Sequence, residues 1–341
     1  MQNKIRISFV GDVSPGDHYF SFGHGPRKLF ECGHNKFSSI REIMPKSDIK
    51  VCNLEGAISD FNANKQSPKS MVFRGCERTA ERIKEMGFDV VNVANNHTAQ
   101  HGPIAFHRTK ELLYKAGLSV IGLVDKPYIT RTIGDTKVTI LGASLINDNT
   151  DPCQNLYYNP TPPKLIEACK KIKEFSDVLV LYIHWGTEST TEVTQTVTLL
   201  SRELVSHGVE IIVGHHPHVV QPIHLLECGL IAYSLGNFIF DLQWSKMNVD
   251  SIVLTALIEK NNHKTSIFAE VQNARINSCS LPSLEVESTQ LSYGLNTIYE
   301  YNTNEIQFQA YRKLLFLIKN ILRGNTSLKI RFLMWKLLKK I

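Results

Sequence analysis

The sequence predicts an α/β fold built on a largely parallel β-sheet. Short β-branched segments alternate with helical patterns over most of the first 215 residues, and this alternation is typical of α/β proteins. The strand-like segments are apolar almost throughout, as expected for strands that are buried on both faces of a sheet. The length of 341 residues suits one α/β domain of about 250 residues with an additional segment.

Five strands and four helices are predicted in this part of the chain. The strands are Ile5–Val10, Ile49–Asn53, Val90–Ala94, Val178–Ile183 and Ile211–Val213. The helices are Glu77–Met86, Pro103–Ala116, Lys164–Phe175 and Thr194–Ser206. A glycine closely follows three of these helices, and glycine is a common residue just beyond a helix C-terminus.

The remaining segments predict antiparallel structure. Thr130–Ala143 and Ile223–Tyr233 each contain a glycine at the turn and are predicted β-hairpins. Ser251–Ile258 and Thr265–Val271 are predicted to be edge strands or strands of a second sheet. Residues 272–300 carry no pattern that assigns them to a helix or a strand.

Composition excludes several classes of protein. Hydrophobic residues make up 43% of the chain and charged residues 21%, which excludes a disordered or fibrous protein. No run of 18 apolar residues occurs, so we expect no ordinary transmembrane helix. The first residues lead directly into a strand-like segment without the pattern of a secretory signal. The seven cysteines contain no Cys-x-x-Cys pair, and we expect reduced thiols in a cytoplasmic protein.

The net charge of +6 comes from the C-terminal segment. Residues 311–341 contain nine lysines and arginines and no acidic residue. Residues 1–310 contain 29 basic and 32 acidic side chains and therefore carry a net charge of about −3. A nucleic-acid-binding protein is expected to carry a basic surface on its main body, so we expect no nucleic-acid partner.

Polar side chains gather where the predicted strands end. The six clusters are Gly11-Asp12, Asn53–Glu55, Asn95–His97, His184–Glu188, Gly214–His218 and Ser234–Asn237. Any one cluster alone is explained by turn chemistry. Because the carboxyl ends of parallel strands meet at one edge of a sheet, where ligands bind in open α/β folds, the six together predict a single polar crevice.

The side chains in these clusters suit a transition-metal site. Carboxylate, amide oxygen and imidazole without thiolate favour Mn, Fe, Zn, Co or Ni. A carboxylate such as Glu55 can bridge two ions, and two ions about 4 Å apart can activate a water and hold the attacking and leaving oxygens of a hydrolysis. A histidine beside the ions that is not a ligand could then protonate the leaving group.

Six motifs in this order resemble the poly-γ-glutamate capsule biosynthesis protein CapA family, a branch of the calcineurin-like metallophosphoesterase superfamily. They are FVGDVSPGD, VCNLEGAIS, VVNVANNHTAQHG, LYIHWGTE, VGHHPHVVQ and YSLGNFIFD, and they cover roughly residues 5–245. The resemblance implies a four-layer α/β/β/α metallophosphoesterase-like sandwich. It also implies a metal site at the sheet edge and a role in making or exporting an anionic polymer.

The resemblance implies a role for each residue of the site. The implied metal ligands are Asp12, Glu55, Asn96, His184, His216 and His218. His97 is the implied catalytic residue, and Asn53, Glu188 and Asn237 are expected to contact the substrate or to orient ligands. For Glu188, capping of the next helix is an equal alternative. We expect His215 to turn away from the cluster.

One departure from the superfamily leaves the number of ions open. The superfamily's Asp-x-His opening is Asp12-Val13-Ser14 here, and a serine is a poor ligand. The first metal position is therefore weaker, or completed by water, Asp17 or His18. The second position is complete. We expect one or two divalent ions, with Mn, Fe or Zn favoured.

The C-terminal segment predicts two basic amphipathic helices. Tyr311, Leu314, Leu315, Ile318 and Leu322 recur at helical spacing, and Leu328–Ile341 continues the pattern after Gly324-Asn325. Basic amphipathic helices with an aromatic residue belong to the class that lies on anionic membranes. The alternative is that both helices pack on the domain with their basic residues outward. Residues 311–341 are thus a candidate surface for a membrane or a partner protein.

These patterns divide the chain and define three candidate functions. Residues 1–245 form the CapA-like domain, 246–310 an extension that completes the sheet, and 311–341 the basic tail. The first candidate is a hydrolase that cleaves a phosphoester or amide with a metal-bound water and is associated with synthesis or export of an anionic capsule polymer such as poly-γ-glutamate. The others are a non-catalytic accessory protein of a capsule or polysaccharide assembly machine and a nucleotidase-like phosphatase. We expect a cytoplasmic location, with peripheral contact to the inner membrane face as an alternative.

Overall fold

Eighteen strands and ten helices, numbered in chain order, lie in the described residues of the computed structural model, which are 4–33, 36–148, 155–261, 264–285, 287–302 and 307–338. The strands are β1 (Lys4–Val13), β2 (Ile49–Leu54), β3 (Ala57–Ile58), β4 (Arg74–Gly75), β5 (Val90–Asn92), β6 (Ser119–Ile121), β7 (Tyr128–Ile133), β8 (Thr136–Ser144), β9 (Val178–His184), β10 (Ile211–His215), β11 (Ile223–Leu226), β12 (Gly229–Ala232), β13 (Asn237–Ile239), β14 (Asp250–Asn261), β15 (Lys264–Ile276), β16 (Pro282–Leu284), β17 (Thr289–Gln290) and β18 (Gly294–Asn296). The helices are α1 (Pro26–Cys32), α2 (Lys36–Ile43), α3 (Pro68–Met71), α4 (Thr79–Glu85), α5 (Gly102–Lys115), α6 (Pro162–Lys173), α7 (Gln195–Ser206), α8 (Lys246–Val249), α9 (Gln309–Asn320) and α10 (Thr326–Leu338).

Two mixed sheets face each other across the centre of the molecule. The first has the order β16-β15-β14-β1-β2-β5-β6, with β13 paired to β1 and β17 paired to β15. The second has the order β18-β11-β12-β10-β9-β8-β7. In the first sheet the parallel strands β1-β2-β5-β6 form one half, and the antiparallel strands lie on the other side of β1. In the second sheet the parallel strands β8-β9-β10-β12 are central, and antiparallel strands lie at both sides.

The alternation of side chains along β9 shows how the layers are held together. Val178, Val180 and Tyr182 enter the core between the two sheets, where they meet β1 residues such as Phe9. The intervening leucines and Ile183 enter a second core beneath helices α6 and α7. Successive side chains of a strand point to opposite faces, so a strand buried on both faces is apolar throughout.

A third core completes the layers on the other side of the first sheet. Side chains of α1, α2, α4 and α5, including Phe30 and Phe37, pack there against β1, β2 and β5. The order is therefore helices, first sheet, second sheet, helices. This confirms the predicted four-layer α/β/β/α sandwich.

Most of the predicted strands and helices are found, and one group is corrected. The two predicted hairpins are formed by β7 with β8 and by β11 with β12. Ser251–Ile258 and Thr265–Val271 were expected at an edge or in a second sheet. They instead lie within β14 and β15 of the first sheet, where β14 pairs with β1 on one side and with β15 on the other. Residues 246–310 also contribute β18 to the second sheet, and the predicted domain boundaries stay predictions.

The C-terminal helices α9 and α10 lie on loops at the carboxyl edge of the sheets. The ring of Phe332 stacks on Tyr19 at 4.5 Å between centroids, and Phe316 meets Phe20 edge to face at 5.4 Å. Residues 339–341, at the end of the second predicted helix, lie outside the described part of the chain. None of the helices in the described ranges combines the length and apolarity needed to cross a membrane.

Candidate metal centre

A bulge in β1 turns Asp12 toward the space between the sheets. Phe9 points into the core between the sheets, whereas Val10 and Val13 both point into the outer core, so the alternation is broken between them. The pairing with β2 shifts register at the same place. Bulges commonly redirect a side chain in this way. Asp12 is fully buried, and its Oδ1 accepts a hydrogen bond from Asn53 Nδ2 at 2.8 Å.

The carboxylate of Glu55 lies at the centre of the cluster. It follows the last residue of β2 and is fully buried. Its Oε1 lies 3.5 Å from Nε2 of His218, 3.9 Å from Nε2 of His97 and 4.0 Å from Nε2 of His184. Neither carboxylate oxygen has a hydrogen-bond partner among the described residues. A buried carboxylate without a partner is costly unless it binds a cation.

One group of donors lies on the side of Glu55 that faces β9. A carboxylate oxygen of Glu55 and ring nitrogens of His184 and His216 lie within 4.8 Å of one another. The Oδ1 atom of Asn96 is 2.9 Å from His184 Nε2. The Nδ1 atoms of both histidines are buried and have no hydrogen-bond partner among the residues described.

A second group shares Glu55 and includes Asp12 and His218, whose ligand atoms also lie within 4.8 Å of one another. Asn237 holds His218 in place, because its Oδ1 is 2.9 Å from His218 Nδ1 while its amide nitrogen donates to the carbonyl of His218. Both His216 and His218 have positive φ, 97° and 58°. Such strain in residues other than glycine is typical of functional sites.

Burial and the two carboxylates determine the protonation of the histidines in the cluster. Burial raises the pKa of Glu55 well above its usual value, and Asp12 adds to this increase. Burial alone would lower the pKa of His218, but the carboxylates of Glu55 and Asp12 raise it to about 10. Burial lowers the pKa of His216 to about 4 and that of His184 well below its usual value. His184 and His216 therefore remain neutral and can offer lone pairs to a metal.

His97 is positioned next to the cluster by a hydrogen-bonded glutamine. Its Nδ1 lies 2.8 Å from Oε1 of Gln100, and the amide nitrogen of Gln100 donates to the carbonyl of Val72 at 2.6 Å. This orientation of Gln100 places the proton of the neutral imidazole on Nδ1. The ring also packs on Phe73 at 4.3 Å between centroids, and burial lowers the pKa of His97.

Glu188 lies at the solvent side of the cluster. One of its carboxylate oxygens is within 4.8 Å of ring nitrogens of His216 and His218, and the residue is exposed. The alternative that Glu188 caps the next helix is wrong, because the N-cap of α7 is Thr194. Glu188 is thus placed where it can meet either an ion or a substrate.

The residues proposed to complete the first metal position do not point into it. The hydroxyl of Ser14 donates to the carbonyl of Gly16 at 2.8 Å. The carboxylate of Asp17 accepts from the backbone of Gly23 and Arg27, within its own loop. The ring of His18 packs against aromatic side chains, with Phe20 at 4.2 Å. The protein therefore supplies fewer donors at this position than at the other.

Sequence reasoning missed the part played by His215, and the expectation that it turns away is wrong. Its Nδ1 lies 3.1 Å from Asp12 Oδ1, and its ring packs on Tyr182 at 4.2 Å. Strand β10 continues through His215, so this residue extends the inward row begun by Ile211 and Val213. That alternation was the signal that could have identified it.

A second missed residue, Asn95, organises the loop that carries Asn96 and His97. Its Oδ1 accepts from the backbone of His97 and Thr98, and its Nδ2 donates to the carbonyl of Leu54 at 2.8 Å and to Asn53 at 3.2 Å. It thereby connects the ends of β2 and β5.

Comparison with known proteins identifies the family. The model of the family described as bacterial capsule synthesis protein PGA_cap matches residues 6–242, more than half of the chain. The chain belongs to this family. The match includes every residue of the donor cluster.

Two curated relatives carry capsule names. The chain is 28% identical over 269 residues to the capsule biosynthesis protein CapA of Bacillus anthracis, covering 73% of this chain and 63% of that protein. It is 27% identical over 268 residues to the PGA biosynthesis protein CapA of Bacillus subtilis, covering 75% and 68%. The chain thus spans less than two thirds of the length of the B. anthracis relative.

A solved structure agrees with the fold. A Staphylococcus aureus protein assigned as a 5′-nucleotidase, crystallised with alpha-ketoglutarate, superposes with a TM-score of 0.50 at 14% identity, covering 91% of this chain and 58% of that protein. At this identity the likeness concerns the fold alone, which is metallophosphoesterase-like.

Proposed function

We propose that this PGA_cap family chain is a metal-dependent hydrolase that cleaves a phosphoester or an amide during synthesis or export of an anionic capsule polymer. The proposal rests on the position of Glu55. Its buried carboxylate lies between two groups of donors and lacks a hydrogen-bond partner among the described residues, and His97 lies 3.9 Å away. A purely structural carboxylate at full burial would be hydrogen-bonded.

The donors fit divalent cations of the Mn, Fe or Zn type. Asp12, Glu55 and His218 would hold one ion, and Glu55 with Asn96, His184 and His216 would hold the other. When bound, such a cation lowers the pKa of a coordinated water toward ~7 and polarises a phosphoryl or carbonyl oxygen. Asn53 and Asn237 orient Asp12 and His218 by hydrogen bonds from outside the cluster.

His97 is the residue proposed to move the proton. Its Nδ1 is engaged by Gln100, so Nε2 is the ring nitrogen that faces Glu55 and a substrate bound there. In the neutral ring Nε2 carries no proton, so it would first accept one, as from a water molecule, and could then deliver it to a leaving oxygen or nitrogen. Packing on Phe73 restricts the ring to this orientation.

The proposed substrate class rests on the family and its relatives. The name of the B. subtilis relative contains PGA, which supports a poly-γ-glutamate polymer or its precursor as the substrate. An anionic polymer of this kind offers carboxylate and amide oxygens, the ligands that such cations accept.

A non-catalytic accessory function is the second candidate, and Ser14 favours it. Its hydroxyl bonds within its own loop and does not join the group of Asp12, Glu55 and His218 that the described residues form at the first metal position. An assembly protein could retain one structural ion and perform no chemistry.

Metal analysis combined with an activity screen tests the proposal. The purified chain is loaded with Mn²⁺ or Zn²⁺, and its metal content is compared with that of the Glu55→Gln variant. Both are then assayed on aryl phosphomonoesters, aryl phosphodiesters and γ-glutamyl anilides. We expect bound metal and hydrolysis that Glu55→Gln removes. Metal binding without any hydrolysis would favour the accessory function, and absence of metal binding would refute the metal-dependent hydrolase.

A further inference from the structure

The C-terminal helices present a second functional surface, separate from the metal centre. Exposed large hydrophobic side chains are concentrated there, because ten of the nineteen found in the described residues lie between 308 and 338. Contiguous apolar surface of this kind marks an interaction site.

The exposed large hydrophobic residues of α9 form one stripe on the side of the helix that faces away from the domain. The stripe consists of Tyr311, Leu314, Leu315 and Ile318, at i, i+3, i+4 and i+7, and continues to Leu322, two residues beyond the end of the helix. The residues that pack on the domain lie on the opposite side of the helix, including Phe316, Leu317 and the buried Asn320. The helix is thus apolar on both sides, although only one side is covered.

Helix α10 has the same arrangement. Leu328 and Phe332 are buried against the aromatic loop residues. The opposite side exposes Ile330, Met334, Leu337 and Leu338. We refer to these four residues and the five of the α9 stripe as the outer tail face.

A buried lysine joins the two helices into one platform. Lys329, at 1% exposure, lies in α10 and donates to the carbonyl of Asn320, the last residue of α9, and to that of Arg323 in the turn that follows. The outer tail face is therefore held on two connected helices.

The charged side chains of the tail itself are all positive. Residues 307–338 contain seven lysines and arginines and no acidic residue. Lys319, Arg323, Arg331 and Lys336 are exposed. A second copy of the chain would bring like charges together, which opposes a dimer through this face. An anionic bilayer matches both the apolar and the basic residues of the tail. Its acyl boundary accepts apolar side chains, and its headgroups attract lysine and arginine.

We propose that the outer tail face docks on the surface of an anionic lipid bilayer.

Docking would also orient the metal centre. The inner sides of α9 and α10 pack on residues 19–22. The ring centroid of Tyr19 in that loop lies 4.4 Å from the ring centroid of His18. The ring centroid of His18 in turn lies 5.3 Å from that of Phe73, and His97 packs on Phe73. The membrane would therefore lie at the end of the molecule that carries the donor cluster.

Co-sedimentation with vesicles tests the proposal on the whole chain. Phosphatidylcholine vesicles with and without phosphatidylglycerol are compared at low and high salt. We expect binding to the anionic vesicles that is weakened by salt and that falls about fivefold for each of Lys319, Arg323, Arg331 and Lys336 changed to Ser.

Apolar variants separate lipid docking from simple charge attraction. Leu314→Ser, Ile318→Ser and Leu322→Ser together should reduce binding about tenfold or more. The matched control changes three equally exposed residues elsewhere, Ile104→Ser, Leu199→Ser and Leu295→Ser, and should bind like the parent chain. Circular dichroism melts check that both triple variants are folded.

Three results would overturn the proposal. The first is a full-length chain that stays in the supernatant with anionic vesicles at low salt. The second is binding that the triple variant of α9 leaves unchanged. The third is a parent dimer, measured by light scattering, that this variant dissociates, because the outer tail face would then serve a second copy.

Discussion

The Nδ1 atom of His97 lies 2.8 Å from Oε1 of Gln100, and this contact determines which ring nitrogen faces the carboxylate of Glu55. Gln100 is itself held by its bond to the carbonyl of Val72. The nitrogen that would exchange protons with a substrate, Nε2, is therefore aligned by the backbone of a neighbouring loop, independently of the residues that would bind metal.

Replacement of His97 by alanine should separate chemistry from metal binding. We expect His97→Ala to retain its metal, because Asn96 and not His97 belongs to the donor group, and to lose about 10²–10⁴-fold in turnover. Metal content is measured by elemental analysis and turnover on a substrate found in the screen. His107→Ala, on the exposed side of α5, is the control and should keep full activity. If His97→Ala kept the turnover of the parent chain, His97 would be excluded from the mechanism.

The Gln100→Leu variant tests the positioning role directly. Loss of the hydrogen-bond acceptor should let the ring change tautomer or orientation, so kcat should fall by about tenfold or more while KM and metal content change little. The Gln100→Glu variant keeps an acceptor at this position and should recover part of kcat, with a changed pH profile. An equal loss in both variants would contradict the role of Gln100 as a positioning residue.

Metal should stabilise the fold through Glu55. The free energy gained from a bound ion is about 2.7 kcal/mol when the ion is at 100 times its dissociation constant. We expect added Mn²⁺ to raise the melting temperature of the parent chain and to leave that of Glu55→Gln nearly unchanged. Glu85→Gln, at an exposed ion pair, should respond to Mn²⁺ like the parent. This readout does not depend on knowing the substrate.

The convergence of the donors was predictable from the sequence, and the details of the strands were not. Asp12, Asn96 and His184 each follow or end a strand, and the rule that parallel strands present their carboxyl ends at one edge brings them together. The bulge that turns Asp12 inward leaves no pattern in the sequence. His215 was missed because the strand was ended two residues early, at Val213.

For the C-terminal helices, the sequence predicted the helix but not the side that packs on the domain. The helical spacing of Tyr311, Leu314 and Ile318 predicted a helix correctly. It did not predict which side packs, because Phe316 and Leu317 on the other side are equally apolar. The choice depends on the aromatic residues that the loop after β1 presents, and their position follows from the assembled sheets.

Two buried carboxylates next to the tail should make stability depend on pH. Burial raises the pKa of Asp17 to about 7, with a contribution from the charge of Asp241, and burial raises the pKa of Asp241 to about 6. A carboxyl whose pKa is higher in the folded state stabilises the fold at low pH, and that stability is lost as pH rises through the folded pKa. The window here runs from about 4 to 7.

The Asp241→Asn variant should reveal this window. An amide oxygen can still accept from the backbone of His18 and the hydroxyl of Ser21, and it carries no charge. Relative to the parent, the free energy of unfolding of the variant should rise by up to about 3 kcal/mol between pH 4 and pH 7.5, from two pKa units. Urea unfolding at both pH values measures it, with exposed Asp125→Asn as control. A difference that does not change with pH would mean that Asp241 titrates normally.

The stack of Phe332 on Tyr19 should hold α10 to the domain without supporting the sandwich. Phe332 is 8% exposed, and its removal should cost about 3 kcal/mol of the tail's docking energy. We expect Phe332→Ala to speed amide hydrogen exchange in α9 and α10 while β9 and β10 remain protected, because the inner cores do not include this ring. Met334→Ala, on the outer tail face at 57% exposure, is the matched control and should leave exchange unchanged. Faster exchange throughout both sheets in Phe332→Ala would show instead that the tail is part of the folding core.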